Sequence, residues 1–154
     1  MRLLRLLIAL LAVGGVVDSS LALRIHFQSA DAAPPCAVSA RWDCGAVNHS
    51  RFAVFPPTSF DEDASVKHVH MPVALAGIFG YALLALLALV GRPWWVLQVA
   101  EVGFACAAML TYMEAYVMQK WCIYCVWSQA LIAAILLCSV VLCFVASTVV
   151  DEYR

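Results

Sequence analysis

Apolar and polar positions divide the chain of 154 residues into four long hydrophobic runs and one polar interval. Leu3–Leu23, Met71–Val90, Trp94–Met118 and about Cys122–Val150 each approach or exceed the roughly 20 apolar residues that carry a helix across the hydrocarbon of a bilayer. The fourth run exceeds what a span needs, so it should tilt or project beyond the membrane. Polar residues gather in one loop, residues 24–70, with Pro34, Pro35, Pro56 and Pro57, the acidic run Asp61–Asp63, two cysteines and all four histidines. The other links, "GRP" around Arg92 and "QKW" before Cys122, are so short that successive helices must be antiparallel neighbours. The pattern predicts an all-α membrane protein: a four-transmembrane-helix bundle forming one domain over residues 1–154, with an outer loop at 24–70.

Composition agrees with this reading, because 65% of residues are hydrophobic and only 12% charged. A soluble domain of this size cannot bury that much apolar surface. The formal net charge of -1 is uninformative, and no basic patch suggests nucleic acid as a partner. Lysines and arginines in short flanks set topology. Arg2, Arg5, Arg92 and Arg154 fall on one side of an alternating path; in the short links only Lys120 opposes them, and the long polar loop counts for little. Both termini are therefore expected in the cytoplasm, and the loop and the Cys122 turn on the outer side. A cleaved secretory leader is the rival for the first run: Arg2, Arg5 and the small-residue stretch Ser29–Pro35 fit it, and Asp18 interrupts the apolar run. The run is long for a leader and the cleavage site lies well beyond it, so a retained helix is expected. Either way only two spans separate the loop from the Cys122 turn, and both face the same side.

Seven cysteines add the chemistry. Cys106, Cys138 and Cys143 lie inside the runs and are expected to pack as small apolar residues. Cys122 and Cys125 form a C-x-x-C at the head of the fourth run. Unpaired N–H groups of a first helical turn favour a thiolate there, and Lys120 adds a cation nearby. The bland alternative is a static disulfide pinning the turn. Cys36 and Cys44 stand in the loop, on the oxidising side where disulfides persist. They either close a small loop, contributing on the order of 2–3 kcal/mol, or shuttle electrons from a soluble dithiol to the second pair.

Electrons leaving Cys122 and Cys125 need an acceptor. The chain has no C-x-x-C-H, no G-x-G-x-x-G and no P-loop. A membrane quinone takes two electrons and two protons, which is what a dithiol yields on becoming a disulfide. His68-x-His70 with His49 is too loose a set for a zinc site, so no metal is expected. Asp18, Glu101 and Glu114 lie in or near spans, where ionisable groups invite a functional reading. Asp18 or Glu114 as proton donor competes there with snorkelling or a buried hydrogen bond, which is the favoured expectation. Trp94, Trp95, Trp121 and Tyr124 read as interface residues, the last two also as walls for a quinone.

An N-terminal span, a C-x7-C loop followed by "NHSRF", the span "PVALAGIFGY" and a closing "WCIYC" together resemble the vitamin K epoxide reductase family. The resemblance runs from about Ala12 to Ser147. The loop pair precedes the membrane pair, opposite to the order in DsbB-type quinone-linked oxidases. The resemblance implies that Cys36 and Cys44 are the shuttle. Cys44 would attack Cys122 of the Cys122–Cys125 disulfide, and Cys125, released as thiolate, would face the quinone. Ser50 and Phe52 are expected near the quinone, and residues 45–52 in a short capping helix. Vertebrate members carry a tyrosine where this chain has Gln129 and an asparagine where it has Ala76. That difference points to a plain quinone (ubiquinone or menaquinone) rather than an epoxide. Gln129, a helical turn beyond Cys125, can donate to a quinone oxygen or bond a neighbouring helix. No thioredoxin-like domain follows the fourth span, so the resemblance implies a separate, DsbA-like thioredoxin-fold donor.

The expected function is a quinone-dependent oxidase that drives disulfide formation. Its expected location is the bacterial inner membrane, with the redox cysteines on the periplasmic side. The alternatives are a vitamin K epoxide or quinone reductase, or a non-catalytic membrane protein with two structural disulfides.

Overall fold

The computed structural model describes residues 1–29, 36–58 and 70–152, with side chains to residue 148. The acidic run, His68 and Arg154 lie outside them. The chain folds as α1 (Arg2–Phe27), a short α2 (Cys44–Asn48), the two-residue strands β1 (Val54–Phe55) and β2 (Met71–Pro72), then α3 (Val73–Val90), α4 (Pro93–Tyr112) and α5 (Ile123–Glu152). α4 continues through a π-helical turn, Met113–Met118. Among the described residues, four helical segments are long and apolar enough to cross a membrane: Arg2–Phe27, Val73–Val90, Pro93–Met118 and Ile123–Thr148.

Local chemistry sets the turns. α3 ends at Gly91, whose left-handed φ of 79° lets its N–H reach the carbonyls of Leu87 and Ala88. A Cβ there would also lie 2.5 Å from Nη1 of Arg5, but that is the end of a flexible side chain able to shift, so the left-handed backbone is what calls for glycine. Arg5 thereby sits against the carbonyl end of α3, where a cation is favoured. Pro93 opens α4 in the first turn, where its missing N–H costs nothing. These features put the start of α1 and the α3–α4 link at one end of the bundle. The loop and the Cys122 turn occupy the other, the loop end.

Ile8, Ala12, Leu84, Val96, Ile135 and Leu142 form the core between the helices. Phe79, Trp94, Trp95, Leu137 and Phe144 point outward and are exposed, as lipid-facing positions should be. Helix association in lipid rests on close packing rather than on apolar burial. Gly15 shows this most sharply: a Cβ there would collide with the Tyr81 ring. Gly15→Ala gains about 1 kcal/mol of helix propensity but overpacks the α1–α3 contact at a cost of about 1–3 kcal/mol. The thermal midpoint in detergent is expected to fall; an unchanged midpoint would mean that the ring gives way freely.

The predicted capping helix is present but shorter than residues 45–52. It stops at Asn48, because the N–H of Ser50 turns back to Val47 and that of Ala53 to Ser50. The chain then pairs antiparallel, Val54 with Pro72 and Phe55 with Met71, and re-enters the bundle as α3.

Candidate functional site

The loop is fastened to the bundle at both edges of α2. On the α1 side, Nδ1 of His26 lies 2.6 Å from the carbonyl of Asn48, and Nε2 of His49 lies 2.9 Å from that of Gln28. On the α5 side, Trp121 N–H donates to the Arg41 carbonyl at 2.8 Å and Asp43 N–H donates to the Trp121 carbonyl at 3.0 Å. Trp42 packs on Trp121 with ring centroids 6.2 Å apart. The residues immediately before Cys44 and Cys122 are thus hydrogen-bonded to each other, which brings the two cysteines together.

Asp43 carries this junction with both oxygens. Oδ1 caps α2 by accepting the Ala46 N–H at 3.0 Å, and Oδ2 pairs with Lys120 Nζ at 3.0 Å. The Ala46 N–H first, then Lys120, hold its carboxyl below the usual range. A depressed folded value means stability that is present at neutral pH and lost as pH falls through that value. Asp43→Ala is expected to cost about 1 kcal/mol for the cap, the part-exposed ion pair adding little. Thermal midpoints measured against pH should show the gap from wild type closing in acid.

Below this junction Cys44 and Cys122, both fully buried, pack with Val47 into one cluster, against which lie Cys36, Met118, Tyr124 and Cys125. Cys36 and Cys44 form a disulfide, with Cα atoms 5.9 Å apart, and Cys122 and Cys125 are thiols. Asn48 Nδ2 donates to the Cys44 carbonyl at 2.8 Å and to Cys122 Sγ at 3.5 Å, so one amide bridges both cysteines. The Cys122 thiol is shifted toward the thiolate, chiefly by a hydrogen bond from Cys125 and further by N–H groups at the head of α5. Burial and the nearby Glu114 oppose the shift without cancelling it. A thiol shifted toward its thiolate, beside a second sulfur pair in a dry cluster, suits thiol–disulfide exchange.

Cys125 faces the other way, into a cavity of about 320 Å³ lined mostly by apolar side chains of all four spans. That volume and character suit a small, largely apolar ligand. Its polar groups are few: Asp18, Ser50, Tyr81, Glu114 and Ser128 among them. Ser50 Oγ is buried there without a hydrogen-bond partner, leaving a hydroxyl for a ligand oxygen. Tyr81 donates to the Ser128 carbonyl at 2.8 Å and meets its Oγ at 2.9 Å.

Ser50, Phe52 and Ala76 all line the cavity, as does Tyr124. Gln129 is not among the lining residues; its Oε1 is buried without a partner, and Ser128 supplies the polar group on that turn of α5. Trp121 packs on Trp42 rather than walling the cavity. Glu101 lies on the exposed face of α4, 3.4 Å from Gln98 Nε2. Neither Asn48 nor Asp43 stands out in the linear sequence. Asn48 was in principle visible, since it lies four residues after Cys44 on the same helical face. Among the described residues, no three of the His, Cys, Asp and Glu side chains converge on a metal position.

No curated protein matches the chain. Residues 6–140 match the family model described as the vitamin K epoxide reductase family. That match covers most of the chain and accords with four spanning helices and a disulfide-bonded loop pair. The chain therefore belongs to the vitamin K epoxide reductase family, integral membrane oxidoreductases that couple thiol–disulfide exchange to the reduction of quinones.

Proposed function

We propose that the protein is a quinone-dependent thiol oxidase that reoxidises a separate thioredoxin-fold, DsbA-like partner and so drives disulfide formation in exported proteins. The observation that carries the reading is the shared buried cluster of Cys44 and Cys122, with Cys125 on the cavity wall. A thiolate of the partner attacks Cys36, which is partly exposed, and the partner's second thiol resolves the mixed disulfide. Cys44, released as thiolate, attacks Cys122 of the Cys122–Cys125 disulfide and frees Cys125. Cys36 then resolves the Cys44–Cys122 bond. This returns the loop disulfide and leaves a dithiol at Cys122 and Cys125.

A quinone in the cavity takes the two electrons and two protons of that dithiol, with Ser50 donating to one of its oxygens and Phe52 packing on it. Ala76 offers no polar group, and Gln129 stands outside the cavity wall, which favours a plain ubiquinone or menaquinone over an epoxide. Arg2, Arg5 and Arg92 cluster at the end opposite the loop. By the bias of cytoplasmic flanks toward cations, the redox cysteines then face the periplasm of a bacterial inner membrane.

The test is quinol formation by purified protein supplied with a reduced thioredoxin-fold donor and a short-chain quinone. Stoichiometric quinol is expected, with donor thiols lost in step. Two disulfides that never exchange, and no quinol, would leave only a structural role for the pairs.

A further inference from the structure

Glu114 is 1% exposed, in the π-helical turn at the loop end of the bundle. Its Oε2 accepts the Cys122 N–H at 3.0 Å, and its main-chain carbonyl accepts the Lys120 N–H at 3.1 Å. Oε1 is buried and has no hydrogen-bond partner. The side chain lines the cavity together with Cys125, and the Cys125 thiol interacts with the same carboxyl. The titratable groups around it are the Cys122 and Cys125 thiols and Tyr124 of the α5 turn, with Asp18 of α1 on the same cavity wall. Lys120, whose N–H reaches the Glu114 carbonyl, is itself paired with Asp43.

Capping one N–H does not by itself call for a carboxyl. A glutamine oxygen would accept the same bond without the cost of an ionisable group removed from water. A buried carboxyl with one unpartnered oxygen, beside a reactive thiol and on the wall of a ligand cavity, has a use that an amide lacks: it can hold a proton and release it. π-Helical turns, which insert an extra residue into a helix and re-aim its side chains, recur at functional sites for this kind of placement.

We propose that Glu114 transfers protons from the Cys122/Cys125 dithiol to the quinone oxygens in the cavity. The proposal rests on the quinone-reductase reading of the site given above. In the balanced step, both S–H bonds break, the Cys122–Cys125 S–S bond forms, and two electrons pass to the quinone. The Cys125 proton goes to the Glu114 carboxylate and from there to one quinone oxygen. The proton of Cys122 follows the same route to the other oxygen. One quinol leaves, and Glu114 returns to its starting state.

Glu114→Gln separates proton transfer from capping, because the amide keeps an oxygen for the Cys122 N–H but carries no transferable proton. The assay is reduction of a short-chain benzoquinone by the purified full chain, with dithiothreitol as reductant, across a range of pH. Wild type should be active with a pH-dependent rate. Glu114→Gln should be slower by about 10²- to 10⁴-fold, the span ordinarily supplied by a positioned acid–base group, and should lose that pH dependence. Its thermal midpoint and the reduction of its Cys36–Cys44 disulfide should match wild type.

A variant that keeps the wild-type rate and pH profile overturns the proposal and leaves the parent reading intact. A wild-type protein that reduces no quinone overturns both. If Glu114→Gln does not fold, Glu114→Asp serves instead. It keeps an acid but withdraws it by one methylene, so a slower, still pH-dependent rate supports proton transfer and an unchanged rate contradicts it.

Discussion

Cys125→Ala is expected to abolish quinone reduction, lowering the rate by a factor on the order of 10³ or more, as loss of an attacking group does in other enzymes. In the account above, Cys125 is the sulfur of the four that lines the cavity, whereas Cys44 and Cys122 are sealed in the cluster at its rim. Removing it cuts the route after thiol exchange and before the quinone. The Cys36–Cys44 disulfide should therefore still be reducible by donor in the variant, while quinol production stops. Cys138→Ala, inside α5 and packed against the helical core, should retain both. The measurement is quinone absorbance followed alongside donor thiol loss in purified protein. A Cys125→Ala protein that still makes quinol would show that electrons leave through another sulfur.

Gly80→Phe should be nearly as damaging to quinone reduction, for a different reason. Gly80 lies on α3 at the cavity wall, and a Cβ built there meets nothing within 4 Å. A side chain can enter that space without disturbing the backbone, and replacing a mid-helix glycine favours the helix by several tenths of a kcal/mol. The phenyl ring would occupy room that the account assigns to the quinone head. Displacing a reactant by about an ångström can cost on the order of a hundredfold. The expected outcome is a folded protein with normal thermal midpoint, normal disulfide exchange with donor, and quinone reduction down by about that factor. Full activity in this variant would move the quinone site away from the cavity. Gly15→Ala, on the opposing helix, is the contrasting case, since its effect is expected on stability.

Much of this was legible in the linear pattern. Four apolar runs, two links of a few residues and one cysteine-bearing loop are enough to dictate a bundle with both cysteine pairs at one end, because hydropathy and short connections act over long stretches and tolerate local error. The family resemblance rested on spacing that survives as spacing: Cys36 to Cys44, Cys44 to Ser50, Cys122 to Cys125. What the sequence hid depends on backbone detail. The clamp between Asp43 and Trp121 joins segments 78 positions apart through main-chain bonds that any residue types can make. The π-helical turn that carries Glu114 has no recognised sequence pattern, yet it decides that this carboxyl meets the Cys122 N–H. Gln129 illustrates the same limit. One helical turn from Cys125 is a fair guide to proximity, but the rotation of α5 turns Ser128 into the cavity instead.

The hand-off from loop to membrane pair is best tested by removing both resolving cysteines. In protein carrying Cys36→Ala and Cys125→Ala, expressed in native membranes without added crosslinker, Cys44 and Cys122 keep each other as the only partners from their two pairs. Peptide mapping of the alkylated protein should find most molecules joined by a Cys44–Cys122 disulfide. Free, alkylated thiols at both positions would contradict the account, as would bonds from either of them to other cysteines.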